Sequence, residues 1–172
     1  MKKTILAVLV AATLGEITMA KEIKATNLNE KNEFVQPFEL GELNPYGKFF
    51  TGTTYLNTLD DGSSGRKVSI ANVTFEPCSR TDWHTHSKGQ ALVITAGSGI
   101  YKSWGKRARI IEPGDIVKIN PDEKHFHAGG ATTWMAHLSI MDANDNKTVW
   151  LEKVSDEEFK NAVAEAIKQP NK

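Results

Sequence analysis

All five histidines of the chain lie between positions 84 and 137, and four of them form two His-x-His pairs, His84/His86 and His125/His127. Residues i and i+2 of a β-strand share a face, so each pair presents two imidazoles to the same side of a sheet. Two nitrogen donors on one side suit metal chelation. In Trp83-His84-Thr85-His86-Ser87-Lys88-Gly89-Gln90, the Ser-Lys-Gly segment can turn the chain and bring Gln90 back beside His84 as an oxygen donor. Imidazole and amide donors, with the lone Cys78 outside the pattern, suit Mn, Fe, Co, Ni or Zn in an open site better than a closed structural zinc site. The fifth histidine, His137, alternates with Met135 and Ser139 on one strand face, which could line a cavity. A divalent cation nearby would hold such a histidine neutral and able to act as a base, while a satisfied core histidine is the plainer reading. For His127 an extra metal ligand, an acid–base group and a surface residue all stand open.

The pattern His84-x-His86-x3-Gln90-x6-Gly97 resembles the first motif of the cupin family. Gln90 stands where most cupins carry Glu, and Pro77 to Arg80 stand where a leading Gly is usual. Gly114-x6-Pro121-x3-His125 is similar to the second motif, with Asp122-Glu123-Lys124 in place of a Gly-bearing turn and Gly129 in place of Asn. The similarity runs from about Gly41 to Met141. A Gln variant followed by two further histidines is similar to the small manganese cupins with (R)-selective hydroxynitrile lyase activity. That resemblance implies His84, His86, Gln90 and His125 as metal ligands and His127 and His137 as acid–base groups. It also implies a divalent ion, manganese foremost with Fe, Zn, Co and Ni as alternatives, and a small-molecule substrate. A neutral amide in place of a carboxylate leaves more positive charge on the site, which favours an anion at its open positions.

The leading expectation for function is therefore a metal-dependent lyase acting on a small hydroxylated or carbonyl compound. A metal-dependent dioxygenase using the same four ligands is a second reading. The third is a non-catalytic metal or small-molecule binding cupin of the cell envelope. One barrel hosts many reactions, so the site and not the fold must choose between them.

The elements that hold these residues read as short strands parted by Gly and Pro turns. Candidates are Phe49 to Asn57, Lys67 to Phe75, Ala91 to Thr95, Ile100 to Trp104, Ala108 to Ile111, Ile116 to Ile119 and Trp134 to Ile140. This pattern predicts an all-β fold. With the resemblance, it becomes a single cupin jelly-roll barrel (double-stranded β-helix) over residues 41–154, between an N-terminal arm, 21–40, and a C-terminal helix and tail, 155–172. Ser155 and Glu158 form a capping box for that helix, from about Asp156 to Gln169, and Phe159, Val163 and Ile167 give it an apolar stripe. Phe49, Tyr55 and Trp104 are candidates for cavity walls, Arg80, Thr81 and Trp83 for its rim.

Residues 1–20 read as a signal peptide. Lys2-Lys3 precede the apolar run Ile5 to Leu14, and Thr18-Met19-Ala20 supplies the small residues of a cleavage site. The run is too short to span a bilayer core, which takes about 20 helical residues. The expectation is an exported protein, periplasmic or secreted, with no stable membrane anchor after cleavage. Lys+Arg and Asp+Glu are each 21, and loss of the leader leaves a net charge of −1, so no basic excess exists to bind a nucleic acid. The single cysteine excludes an internal disulfide. The cupin resemblance also implies a homodimer, since subunits of that family commonly pair through sheet edges, with the strand from Phe49 to Leu56 or the arm before it as the contact.

Overall fold

The computed structural model describes residues 34–63 and 65–168; the expected leader, the first part of the arm and the tail beyond the helix lie outside the described residues. The strands are β1 Glu42–Leu43, β2 Phe50–Thr51, β3 Thr54–Asp60, β4 Val68–Phe75, β5 Arg80–Thr81, β6 His84–His86 and β7 Gln90–Gly97. They continue as β8 Gly99–Ser103, β9 Arg109–Ile111, β10 Ile116–Ile119, β11 His125–Gly129, β12 Met135–Asp142 and β13 Thr148–Trp150, and the chain then enters helix α1, Asp156–Ile167. One sheet has the order β1-β3-β4-β12-β7-β10; the other runs β13-β6-β11-β5-β2, with β8 on β11 and β9 on β8. The neighbours are antiparallel, and the two sheets make the jelly roll that the short strands together with the cupin resemblance imply.

Alternation decides what each strand buries. From β4, Val73 and Phe75 face between the sheets, where they join Leu92, Ile94, Tyr101, Ile111, Val117, Ile119 and Met135 in the principal core. Asn72 and Thr74 face the other way and are covered by the end of the arm, where Gln36 Oε1 accepts hydrogen bonds from Asn72 Nδ2 at 3.1 Å and Thr74 Oγ1 at 3.1 Å. All five residues of β11 are buried, because both its faces are covered. Phe126 and Ala128 pack with Trp83, Ile100 and the helix residues Phe159, Ala162 and Ala166 in a second cluster, which leaves His125 and His127 to face the barrel interior.

The first expected strand breaks at Gly52, whose backbone is left-handed (φ +81°) and where a Cβ would come within 2.4 Å of Ser79 Oγ. Phe50–Thr51 consequently joins one sheet and Thr54–Asp60 the other. The helix begins where the sequence places it, with Ser155 and Glu158 in a reciprocal capping box. Its buried stripe differs from the expected one: Phe159, Ala162 and Ala166 are covered, and Ile167 is 66% exposed. Eight residues at 3.6 per turn drift about 80° round the axis, so Ile167 leaves the face centred on Phe159 and Ala166. Small alanines take the contact and let the helix lie close to the sheet.

Candidate metal centre

β6 lies between β11 and β13, with His84 opposite His125 and with His86 opposite Thr148. The two His-x-His pairs therefore come from adjacent antiparallel strands and face the same interior. All five histidines are buried. Ring centroids are 4.1 Å apart for His84 and His125, 5.1 Å for His84 and His86, and 5.6 Å for His86 and His125. The donor atoms of His84, His125 and His127 all lie within 4.8 Å of one another.

His84, His125 and His86 are each anchored through Nδ1. His84 Nδ1 donates to the Asp82 carbonyl at 2.9 Å and His125 Nδ1 to the Glu123 carbonyl at 2.8 Å. A carbonyl can only accept, so the ring hydrogen sits on Nδ1 and Nε2 keeps its lone pair. His86 Nδ1 contacts Thr148 Oγ1 at 3.0 Å. Gln90 lies beside His86, and its Nε2 donates to Ser139 Oγ at 2.8 Å, which leaves Oε1 as its free end. His86 Nε2, His125 Nε2 and Gln90 Oε1 are buried with no protein partner. Such atoms are destabilising when left alone, and a divalent cation is the partner that three lone pairs of this kind fit.

The remaining two histidines form a pair: His137 Nε2 lies 3.3 Å from His127 Nδ1, and His137 Nδ1 is buried without a partner. His137 comes from β12 in the opposite sheet, so the pair bridges the barrel. His127 is not a surface residue; it is buried, with its ring 5.4 Å from that of His84. Burial holds every imidazole well below its usual range: His86, His125 and His137 are pushed down to about 4, and His84 and His127 well down, with neighbouring imidazoles adding to the effect at His84, His86 and His127. For His137 burial is the largest cause, and a hydrogen bond with the Leu138 backbone opposes it. All five are therefore neutral at neutral pH, the state required both of a ligand and of a base.

His84, His86, Gln90, His127 and His137 stand on the wall of a cavity of about 250 Å³ whose other side is apolar, with Phe50, Leu56, Val73, Met141 and Trp150. Of the expected wall residues, Phe49 stacks on Trp150 from outside, Tyr55 donates its hydroxyl to Glu76, and Trp104 is 57% exposed beneath Lys124. Phe50 and Leu56 take their place because one step along a strand reverses the face. Thr81 lines the cavity, whereas Arg80 and Trp83 face the helix. Thr148, Trp150, Ser139 and Asn44 also reach the site. Ser139 shares the His137 face by alternation, but β13 is three residues long, and no periodicity marks it.

A two-sheet jelly roll with histidines of neighbouring strands gathered inside defines a small-molecule barrel with a metal-binding type of interior. Residues 76–143 match the family model of the AraC-like ligand binding domain. The chain is 44% identical over 113 residues to (R)-mandelonitrile lyase of Granulicella tundricola, a match covering 65% of this chain and 86% of that protein. It is similar to the crystal structure of a cupin-like protein from Thermotoga maritima, at 33% identity and a TM-score of 0.68, over 77% of this chain and 98% of that one. A cupin-2 domain from Rhodospirillum rubrum shares the fold at 17% identity and a TM-score of 0.55, over 75% of this chain and 95% of that one. The chain belongs to the cupin family.

Proposed function

We propose that the protein is a metal-dependent lyase that cleaves small α-hydroxynitriles to a carbonyl compound and hydrogen cyanide. The observation that carries this reading is the juxtaposition, in one cavity wall, of two orphaned ligand atoms, His86 Nε2 and Gln90 Oε1, and a neutral pair of histidines, with the orphaned His125 ring packed against His84. The likeness to (R)-mandelonitrile lyase supports it. His84, His86, Gln90 and His125 would hold the ion, which we take to be manganese. When bound, a divalent ion supplies a Lewis acid that lowers the pKa of a coordinated hydroxyl and favours an anion beside it.

The chain's own part is proton transfer and positioning. With the shared hydrogen on His137 Nε2, donated to His127 Nδ1, His137 Nδ1 keeps a free lone pair. That nitrogen takes the hydroxyl proton as the carbonyl forms, and the carbon–carbon bond electrons leave with cyanide. Burial makes the resulting imidazolium unfavourable, so it returns the proton to cyanide and the neutral pair is restored. Phe50, Leu56, Val73 and Trp150 hold the apolar body and exclude water.

Manganese-loaded protein should release benzaldehyde from mandelonitrile, faster from the (R) form, at the same rate under argon as in air. A rate no better than that of buffer, with metal bound, would overturn the lyase reading and favour a binding cupin. A requirement for oxygen would favour the oxygenase.

A further inference from the structure

Asn44 is a cavity-wall residue that the proton-transfer scheme does not use. It follows β1 in Leu43-Asn44-Pro45-Tyr46 and is 6% exposed. Its backbone N–H donates to the Thr54 carbonyl at 2.9 Å, its carbonyl accepts from Gly47 N–H at 3.0 Å, and its Oδ1 accepts from Tyr46 N–H at 2.9 Å. Three bonds therefore hold the residue, and the side-chain oxygen is committed to the turn. Nδ2 is shielded from water and has no partner. Its two hydrogens are unspent donors on a wall residue.

The threonine and serine hydroxyls of the wall are already engaged, and its other buried unpartnered atoms, His86 Nε2, Gln90 Oε1 and His137 Nδ1, serve as lone-pair donors in the proposed scheme. Thr81 Oγ1 accepts from the backbone N–H of His127, Ser139 Oγ from Gln90, and Thr148 Oγ1 contacts His86. A buried donor with no protein partner is a rare and unfavourable feature, and in the wall of a cavity it is satisfied by what the cavity holds. An amide N–H is neutral and directional, so it selects for an acceptor atom at one place rather than for charge.

We infer that Asn44 is a recognition residue whose Nδ2–H donates to the nitrile nitrogen of the substrate, so that the cavity selects an apolar body bearing a linear nitrogen acceptor. The inference rests on the lyase reading for the identity of that acceptor. Negative charge grows on this nitrogen as cyanide departs, so the bond strengthens along the reaction and bears on kcat as well as on binding. It also distinguishes nitriles from hydrocarbons of equal shape.

The test uses two unreactive probes of the same shape, phenylacetonitrile and 3-phenyl-1-propyne, titrated calorimetrically into manganese-loaded protein. The nitrile should bind about tenfold more tightly than the alkyne, as one lost hydrogen bond of ordinary strength requires. In Asn44→Asp, which keeps the turn-forming oxygen and loses both donors, and in Asn44→Ala, this preference should vanish with alkyne affinity unchanged. Equal binding of the two probes by the natural protein overturns the inference without any variant having to fold. A preference that survives in a folded, metal-replete Asn44 variant overturns it too, since the nitrile would then be read elsewhere. If the preference is lost as expected while the natural protein does not cleave mandelonitrile, the recognition role stands and the lyase reading falls.

Discussion

His84 and His125 each give their Nδ1 hydrogen to the carbonyl two residues back, which aims both Nε2 lone pairs inward before any ligand arrives. His86 depends instead on the Thr148 hydroxyl. Partners of this kind orient a ligand ring, and their loss typically weakens metal binding by about 10- to 100-fold. Thr148→Val, which keeps the shape and removes the hydroxyl, should weaken manganese affinity by about that factor in a fluorescence or calorimetric titration; unchanged affinity would leave Thr148 a packing residue. His137 tests the other half of the site. His137→Gln should retain metal by elemental analysis and lose roughly 10²- to 10⁴-fold in mandelonitrile cleavage, the range for a positioned base. A variant that loses its metal instead would assign His137 to holding the site together.

At the scale of elements, α1 closes the outer face of the sheet that carries both His-x-His pairs. Phe159 packs beside Trp83 and Phe126, and Arg80 reaches from β5 to the Val154 carbonyl at 2.9 Å just before the helix. The Arg80–Asp156 ion pair adds little, since the Asp156 carboxylate is 96% exposed. Phe159→Ala should lower unfolding stability by about 3–5 kcal/mol. Ser155→Ala, which removes the cap, should cost about 1 kcal/mol, and Ile167→Ala no more than about 0.5 kcal/mol. Urea unfolding of the three variants measures the order, and a large effect at Ile167 would contradict the observed helix face.

The molecule as a whole responds to pH through its buried imidazoles. In the unfolded chain a histidine titrates near 6.5, while His86, His125 and His137 titrate at about 4 in the fold. Folded values below unfolded ones mean that the unfolded chain takes up protons first as pH falls. Stability is therefore whole above about pH 6.5 and is lost progressively down to about pH 4, with each such group contributing up to about 1.4 kcal/mol per pH unit. Metal-free protein should show a Tm that is flat from pH 8 to 7 and falls steeply below pH 6; a Tm that rises on acidification would contradict neutral buried histidines. Metal acts in the same direction. A bound ion at 1,000 times its Kd adds about 4 kcal/mol, which raises the Tm by roughly 10 °C, and a chelator should reverse the rise.

Some of this was legible along the chain because it depends on neighbours a few residues apart. The i, i+2 spacing alone puts His84 with His86 and His125 with His127, the capping box alone starts the helix at Asp156, and Gly and Pro alone punctuate the strands. Burial of each strand's apolar face then restricts register, which is why the expected β10 agrees residue for residue. Which strands become neighbours is a different matter. That β6 lies between β11 and β13, that His137 crosses from the opposite sheet to meet His127, and that Thr148 and Asn44 reach the cavity are products of long-range pairing. The same holds for the helix face that buries two alanines and leaves Ile167 in solvent. Periodicity is written in a window of a few residues, but strand order is settled by the free energy of closing both sheets over one core, which no single window contains.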